Sequence, residues 1–158
     1  MLRPATDDDA AAFAAIYNHY ILNTAVTFEE APVDAAIMAA RRREAAGLPW
    51  LTLEVGGEII GYAYGHPFHQ RSAYRFTVEN AIYLRSDCAR RGYGSELLRG
   101  WLAALPPEIH AVIACLGLPN PASARLHEKF GFQKTGYFPA VGYKFGAWQD
   151  VGYWQLTR

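Results

Sequence analysis

The stretch SDCARRGYGS, residues 86–95, sets two spaced glycines beside two adjacent arginines, a composition suited to holding an anion. Gly92 and Gly94 remove side chains where backbone N–H groups at a helix start would converge. Such groups, with the helix dipole behind them, grip phosphate without net positive charge. Arg90 and Arg91 add local charge, and Tyr93 and Ser95 complete the turn. A Walker loop fails because no Lys follows the last glycine, and a dinucleotide fingerprint fails because Leu97 stands where a third small residue belongs. A plain glycine turn with solvated arginines has the same spelling.

Proton chemistry is available at Glu79, a carboxylate in the otherwise apolar strand Phe76 to Leu84. Burial there raises its pKa toward the range of a useful base, although a strand carboxylate paired with an arginine would look alike. His127 offers an imidazole that titrates near neutrality, fit to donate a proton or to orient a neighbour, or simply a helix residue with a satisfied hydrogen bond. Asn120 before Pro121 is a helix N-cap worth about 1 kcal/mol. Arg71 and Tyr74, in the irregular GHPFHQRSAYR, supply a guanidinium fork and a phenol that suit a carboxylate or phosphinate, whereas most loop arginines are simply solvated. His66 and His69 lack a third ligand for a catalytic zinc, and Cys88 and Cys115 are too few for a four-cysteine site, so no metal is expected.

These residues must be positioned by a single domain spanning residues 1–158, since the chain has 158 residues and no linker, repeat or low-complexity block. With 51% hydrophobic and 14% aromatic residues it can bury a substantial core, which excludes disorder as a general description. Fifteen basic residues balance fifteen acidic ones, so no net field draws the chain to nucleic acid or an anionic membrane. The low cysteine count and the lack of a leader-like or bilayer-spanning apolar run suggest a cytoplasmic protein.

Strand and helix patterns alternate, which predicts a mixed α/β domain. A short strand around Leu2 precedes Thr6 and Asp9, spaced as a capping box, and an amphipathic helix through Phe13, Ile16, Tyr17, Tyr20 and Ile21. A second helix is expected from Pro32 through Ala46, with Arg41, Arg42 and Arg43 solvated near its end. Trp50–Val55 and Glu58–Tyr64, joined by Gly56 and Gly57, read as a hairpin. Then follow the strand ending at Leu84, a helix Ser95–Leu105, a buried strand Ile109–Leu116, a helix from Asn120 to Gly131, and two strands between Phe132 and Leu156 joined by a glycine-rich loop.

The run ARRGYG resembles the [QR]xxGx[GA] acetyl-CoA loop of the GNAT acyltransferase superfamily, with Ala89 in the place usual for Gln or Arg. The segment from Asn120 to LHEKFGF resembles that superfamily's second motif. Together with TVENAIYL and the closing KFGAWQDVGYWQL, the chain is similar from about Leu2 to Leu156 to the phosphinothricin and methionine sulfoximine N-acetyltransferase family. The resemblance implies a GNAT fold: a mostly antiparallel sheet with one splayed parallel strand pair, flanked by helices. It implies acetyl-CoA as co-substrate and direct attack by the amine of a small amino acid analogue in a ternary complex.

By the same resemblance, Glu79 is the catalytic base and His127, typical of this narrower family where the superfamily has Tyr, is its partner or the acid for the departing thiolate. Ile82, Tyr83 and Leu84 flank the pantetheine arm, residues 90–95 hold the diphosphate, and Asn120 contacts the arm. Phe28 forms a pocket wall, and Arg71 and Tyr74 recognise the acceptor's anionic group. His69 stands where phosphinothricin enzymes often have another basic side chain. Family members pair as dimers, and the aromatic run Tyr137, Phe138, Tyr143, Phe145, Trp148, Tyr153 and Trp154 suits either a core or such an interface. Two other classes remain open: a non-catalytic acyl-CoA-binding module, which would need neither Glu79 nor His127 nor Arg71, and a protein or peptide N-acetyltransferase, which would need an open groove.

Overall fold

The computed structural model describes residues 1–45, 47–89 and 91–158. Strands β1 (Leu2–Pro4), β2 (Trp50–Val55), β3 (Glu58–Pro67), β4 (Thr77–Leu84), β5 (Ala111–Leu118), β6 (Gln133–Lys144) and β7 (Ala147–Thr157) form one sheet in the order β1-β2-β3-β4-β5-β7-β6. Neighbouring strands run antiparallel except β4 and β5, which are parallel. Helices α1 (Ala10–Asn23), α2 (Ala35–Arg43), α3 (Tyr93–Ala104) and α4 (Pro121–Lys129) cover the sheet. No helix among the described residues is long and apolar enough to cross a membrane.

The apolar residues sort onto two faces. Phe13, Tyr17 and Ile21 of α1, with Met38 of α2, pack against Trp50 and Tyr62. On the opposite face Leu97, Leu98 and Trp101 of α3 pack against Leu53, Ala63 and Val112. Each large side chain so buried contributes about 1.5–3 kcal/mol, and the two cores fix the sheet that carries the site.

Several element ends differ from expectation for tertiary reasons. Helix α2 starts at Ala35 rather than Pro32, because Asp34 caps it and the Asn18 side chain takes both the N–H and C=O of Val33 (2.9 and 2.8 Å). The helix ends at Arg43, with Glu44 as its C-cap, short of the expected Ala46, which itself lies outside the described residues. Strand β3 continues past Tyr64 to Pro67, since Gly65, His66 and Pro67 still pair with Asn80, Glu79 and Val78. Helix α3 begins at Tyr93, two residues early, because Gly92 is its N-cap. The arginines of α2 are paired, not merely solvated: Arg41 with Glu29, and Arg42 and Arg43 with Asp7.

Asp9 ties the start of α1 to the sheet. Its buried carboxylate accepts two bonds from Arg3 (2.8 Å each), one from the Thr6 N–H (2.9 Å) and one from the Thr52 hydroxyl (2.8 Å). The Arg3 bonds above all lower its pKa from 3.8 to about 2. The stabilisation is therefore complete above the unfolded value and is lost as pH falls from about 4 toward 2. Asp9→Asn should cost about 2 kcal/mol at pH 7 in urea unfolding, with the penalty shrinking across that window. A penalty independent of pH would reject this origin.

Candidate active site

The site is built where β4 and β5 part. Pairing runs from Thr77–Ala111 to Asn80–Ala114 and stops, although β4 extends to Leu84 and β5 to Leu118. Backbone groups alternate sides along a strand. Thr77 C=O and Arg85 N–H bond Phe68 and Ile60 on the β3 side, while Phe76 C=O accepts from His110 on the β5 side. Val78, Asn80, Ile82 and Leu84 consequently direct their N–H and C=O toward β5, and beyond Asn80 no strand receives them. Tyr20 of α1 reaches in to donate to the Leu84 carbonyl oxygen (2.6 Å). The remaining groups of Ile82 and Leu84 edge a cleft of about 860 Å³.

Because the cleft passes through the sheet, residues from both faces line it. Glu79 and Tyr83 point toward α1, where Tyr83 packs edge-on against Tyr17 (centroids 4.8 Å). Asn80, Ile82 and Leu84 point toward α3 and α4, where Ile82 and Leu84 join the core. Glu79 has no arginine partner among the described residues. The nearest titratable side chain is His66, with Nε2 3.8 Å from Oε1. Burial raises the Glu79 pKa, and the His66 and His69 imidazoles oppose that rise.

At the far end Gly92 caps α3 with φ +85°, the left-handed conformation that glycine adopts without strain. The first bond within α3 is Glu96 N–H to Gly92 O (3.1 Å), so the amides of Tyr93, Gly94 and Ser95 have no helical acceptor. Gly92, Gly94 and Ser95 all line the cleft. Arg91 is exposed beside them, and Arg90 lies outside the described residues. Lys129, not anticipated from sequence, donates to Ser95 Oγ (3.3 Å) and adds a cation at this end.

On α4, Asn120 Oδ1 accepts from the Ser123 N–H (3.2 Å), as an N-cap should, and Asn120 also lines the cleft. His127 is buried at 3% exposure. Its Nδ1 lies 2.8 Å from the Ser123 carbonyl oxygen, which assigns the proton of the neutral ring to Nδ1, and its Nε2 accepts from Asn80 Nδ2 (3.1 Å). Burial lowers its pKa and keeps it neutral. His127 therefore meets Asn80, not Glu79, which lies on the other face. Asn80 itself leaves Oδ1 buried without a partner among the described residues. The signal for Asn80 was present in TVENAIYL, where it is a second polar residue beside Glu79.

Phe28 lines the cleft from the α1–α2 connection. Its ring fits only because Gly142 of β6 lacks a side chain, since a Cβ there would approach it to 2.3 Å, and at Gly117 of β5 a Cβ would meet the Ala25 carbonyl oxygen of the same connection at 2.5 Å. The connection is anchored by Tyr17, whose hydroxyl pairs with Thr27 Oγ1 (2.7 Å) and donates to Glu29 (2.9 Å), and by buried Lys144, which donates to the Thr27 carbonyl oxygen (2.8 Å). Arg71 and Tyr74 are not on the cleft wall. They form an exposed turn after β3, where Tyr74 stands edge-on to His69 (4.9 Å), because β3 runs on past the cleft. No group of three His, Cys, Asp or Glu among the described residues is placed to hold a metal.

The chain matches the family described as acetyltransferase (GNAT) domain over residues 2–152. It is 40% identical over 156 residues to a phosphinothricin N-acetyltransferase of Streptomyces viridochromogenes, covering 98% of this chain and 85% of that one. It is 35% identical over 160 residues to an L-methionine sulfoximine/L-methionine sulfone acetyltransferase of Pseudomonas aeruginosa, covering 99% and 93%. A Salmonella typhimurium protein solved with its cofactor acetyl-CoA superposes with TM-score 0.95 at 34% identity, covering 99% of this chain and 92% of that one. The fold is thus shared over nearly the whole chain, and the chain belongs to the GNAT acetyltransferase family.

Proposed function

We propose that the protein is an acetyl-CoA-dependent N-acetyltransferase acting on the amine of a small amino acid analogue of the phosphinothricin, methionine sulfoximine or methionine sulfone type. The observation that carries this reading is the cleft through the parted sheet, with a half-buried carboxylate on one face and, at one end, three helix-start amides without an acceptor among the described residues. The residues present fit the donor. Unpaired strand groups of Ile82 and Leu84 suit an extended amide-bearing arm, and the Tyr93–Ser95 amides with Arg90, Arg91 and Lys129 suit a diphosphate. Acetyl-CoA supplies an activated acetyl group and a stable leaving thiolate.

Glu79 removes a proton from the acceptor's ammonium, directly or through water. An alkylammonium with pKa near 10.4 resists deprotonation at pH 7 by roughly 4–5 kcal/mol, and a base held above the usual carboxylate range narrows that gap. Backbone N–H groups of the Ala81–Leu84 segment stabilise the oxygen that becomes negative on attack. Tyr83 packs behind that segment, and Asn120 faces the donor arm. His127, its proton on Nδ1, serves the leaving-group side by holding Asn80 and α4 in register. Attack is direct: burial pushes the Cys115 thiol up, leaving little thiolate, and Cys88 does not line the cleft.

Phe28 forms the acceptor's wall, and Arg71 and Tyr74, reaching in from the exposed turn beyond the cleft wall, take its acid group. The relatives' named substrates support that class. An acetyl-CoA-coupled screen of phosphinothricin, methionine sulfoximine, methionine sulfone and ordinary amino acids tests it, and acetylation of none would reject it. On the best acceptor, Arg71→Ala should raise the acceptor KM about tenfold with kcat nearly unchanged, the loss of one charge-assisted pair. The protein is further proposed to form homodimers through the β6–β7 hairpin, whose Tyr143, Phe145 and Trp148 are 58, 62 and 66% exposed. A monomeric mass in sedimentation would refute the dimer.

A further inference from the structure

His66 is left unused by the mechanism above, yet it is the cross-strand partner of Glu79. Its Nδ1 lies 3.1 Å from the Pro67 carbonyl oxygen, which places the neutral ring's proton there and leaves the Nε2 lone pair 3.8 Å from Glu79 Oε1. Both residues line the cleft. The His66 side chain keeps 47% of its surface open to solvent, against 24% for Glu79.

A base that takes a proton at every turnover must return it to water before the next. Of the two groups the imidazole at the rim is the more open to solvent and Glu79 the more enclosed. We propose that His66 is a proton-relay residue that resets Glu79 between turnovers. The Glu79 O–H bond breaks as the Nε2 lone pair forms an N–H bond, leaving a carboxylate and an imidazolium, and loss of that proton to water restores the neutral ring. One water or a small side-chain rotation spans the gap. Titratable groups facing Glu79 from the other packed elements are Tyr64 of β3, Cys115 of β5, Tyr153 of β7 and His69 of the β3–β4 connection. Burial holds the tyrosines and the thiol protonated, and His69 packs on Phe68 and Tyr74 away from the cleft wall. His66 alone among these joins the carboxylate to solvent.

This relay rests on Glu79 being the base. His66→Gln, tested on the best acceptor of the screen, should lower kcat about tenfold at low buffer concentration with the acceptor KM within about twofold. Added imidazole should restore kcat in proportion to its concentration. The acid limb of the kcat profile should move to higher pH, because the variant lacks the imidazole that opposes the rise caused by burial at Glu79. An unchanged kcat, or a fall that imidazole does not rescue, overturns the relay. Carbon-13 NMR of the Glu79 carboxyl reads the pairing without turnover: its titration should move upward in the variant, and an unmoved titration rejects the pairing. A wild type that acetylates nothing while this titration still moves would instead remove the function assigned to the site.

Discussion

Replacing Glu79 by Gln should lower kcat by about 10²- to 10⁴-fold, the range of a positioned general base, or roughly 3–5 kcal/mol of barrier. Acetyl-CoA binding should change by less than about twofold, because the helix amides and the strand edge that hold the donor are untouched. Burial is the main reason that Glu79 holds its proton more tightly than a free carboxyl, with His66 and His69 acting against it. Turnover in the wild type should therefore fall as the pH drops through a value above the ordinary carboxylate range. A carboxyl with a raised folded pKa contributes its stabilisation below the unfolded value near 4.5 and loses it as pH rises through the folded value. At pH 7 the charged form costs stability, so Glu79→Gln should melt slightly above the wild type. Loss of turnover with a gain in melting temperature excludes misfolding as the cause. Unchanged turnover would remove Glu79 from the chemistry.

Gly92→Val should weaken acetyl-CoA binding by about 10- to 100-fold, the equivalent of 1–3 kcal/mol of backbone strain at the helix start. Space is not the obstacle, since nothing lies within 4 Å of a Cβ built there. The obstacle is φ +85°, which a β-branched residue resists and which holds the three free amides in place. Asn tolerates the left-handed region, so Gly92→Asn should lose several-fold less than Gly92→Val. Equal losses in the two variants would assign the effect to added bulk in the cleft mouth and not to the backbone. The acceptor KM should move little in either.

What could be seen in the sequence was the part set by neighbours along the chain. The glycine-spaced turn, the carboxylate in TVENAIYL, the Asn120–Pro121 helix start and the hairpin around Gly56 and Gly57 are local devices, and each stands at its expected place. The opening between β4 and β5 was not visible residue by residue, because it follows from where two distant strands stop pairing and was expected only by family resemblance. Tyr20 closing on Leu84, Lys129 on Ser95 and Lys144 under the Thr27 carbonyl join residues tens of positions apart and leave no periodic trace. The start of α2 moved for the same reason: propensity favoured Pro32, but the Asn18 side chain captures the backbone of Val33. The GHPFHQRSAYR segment read as irregular, yet its first three residues are strand, and that extension brings His66 opposite Glu79.

Isothermal titration of the pure, folded protein with acetyl-CoA tests the central claim most directly. The free amides of α3 and the open strand edge of β4 predict one saturable site per chain, occupied by free coenzyme A as well, with a dissociation constant in the micromolar range or about 8 kcal/mol of binding free energy. Absence of binding by either ligand would contradict the assignment of this cleft to a thioester donor.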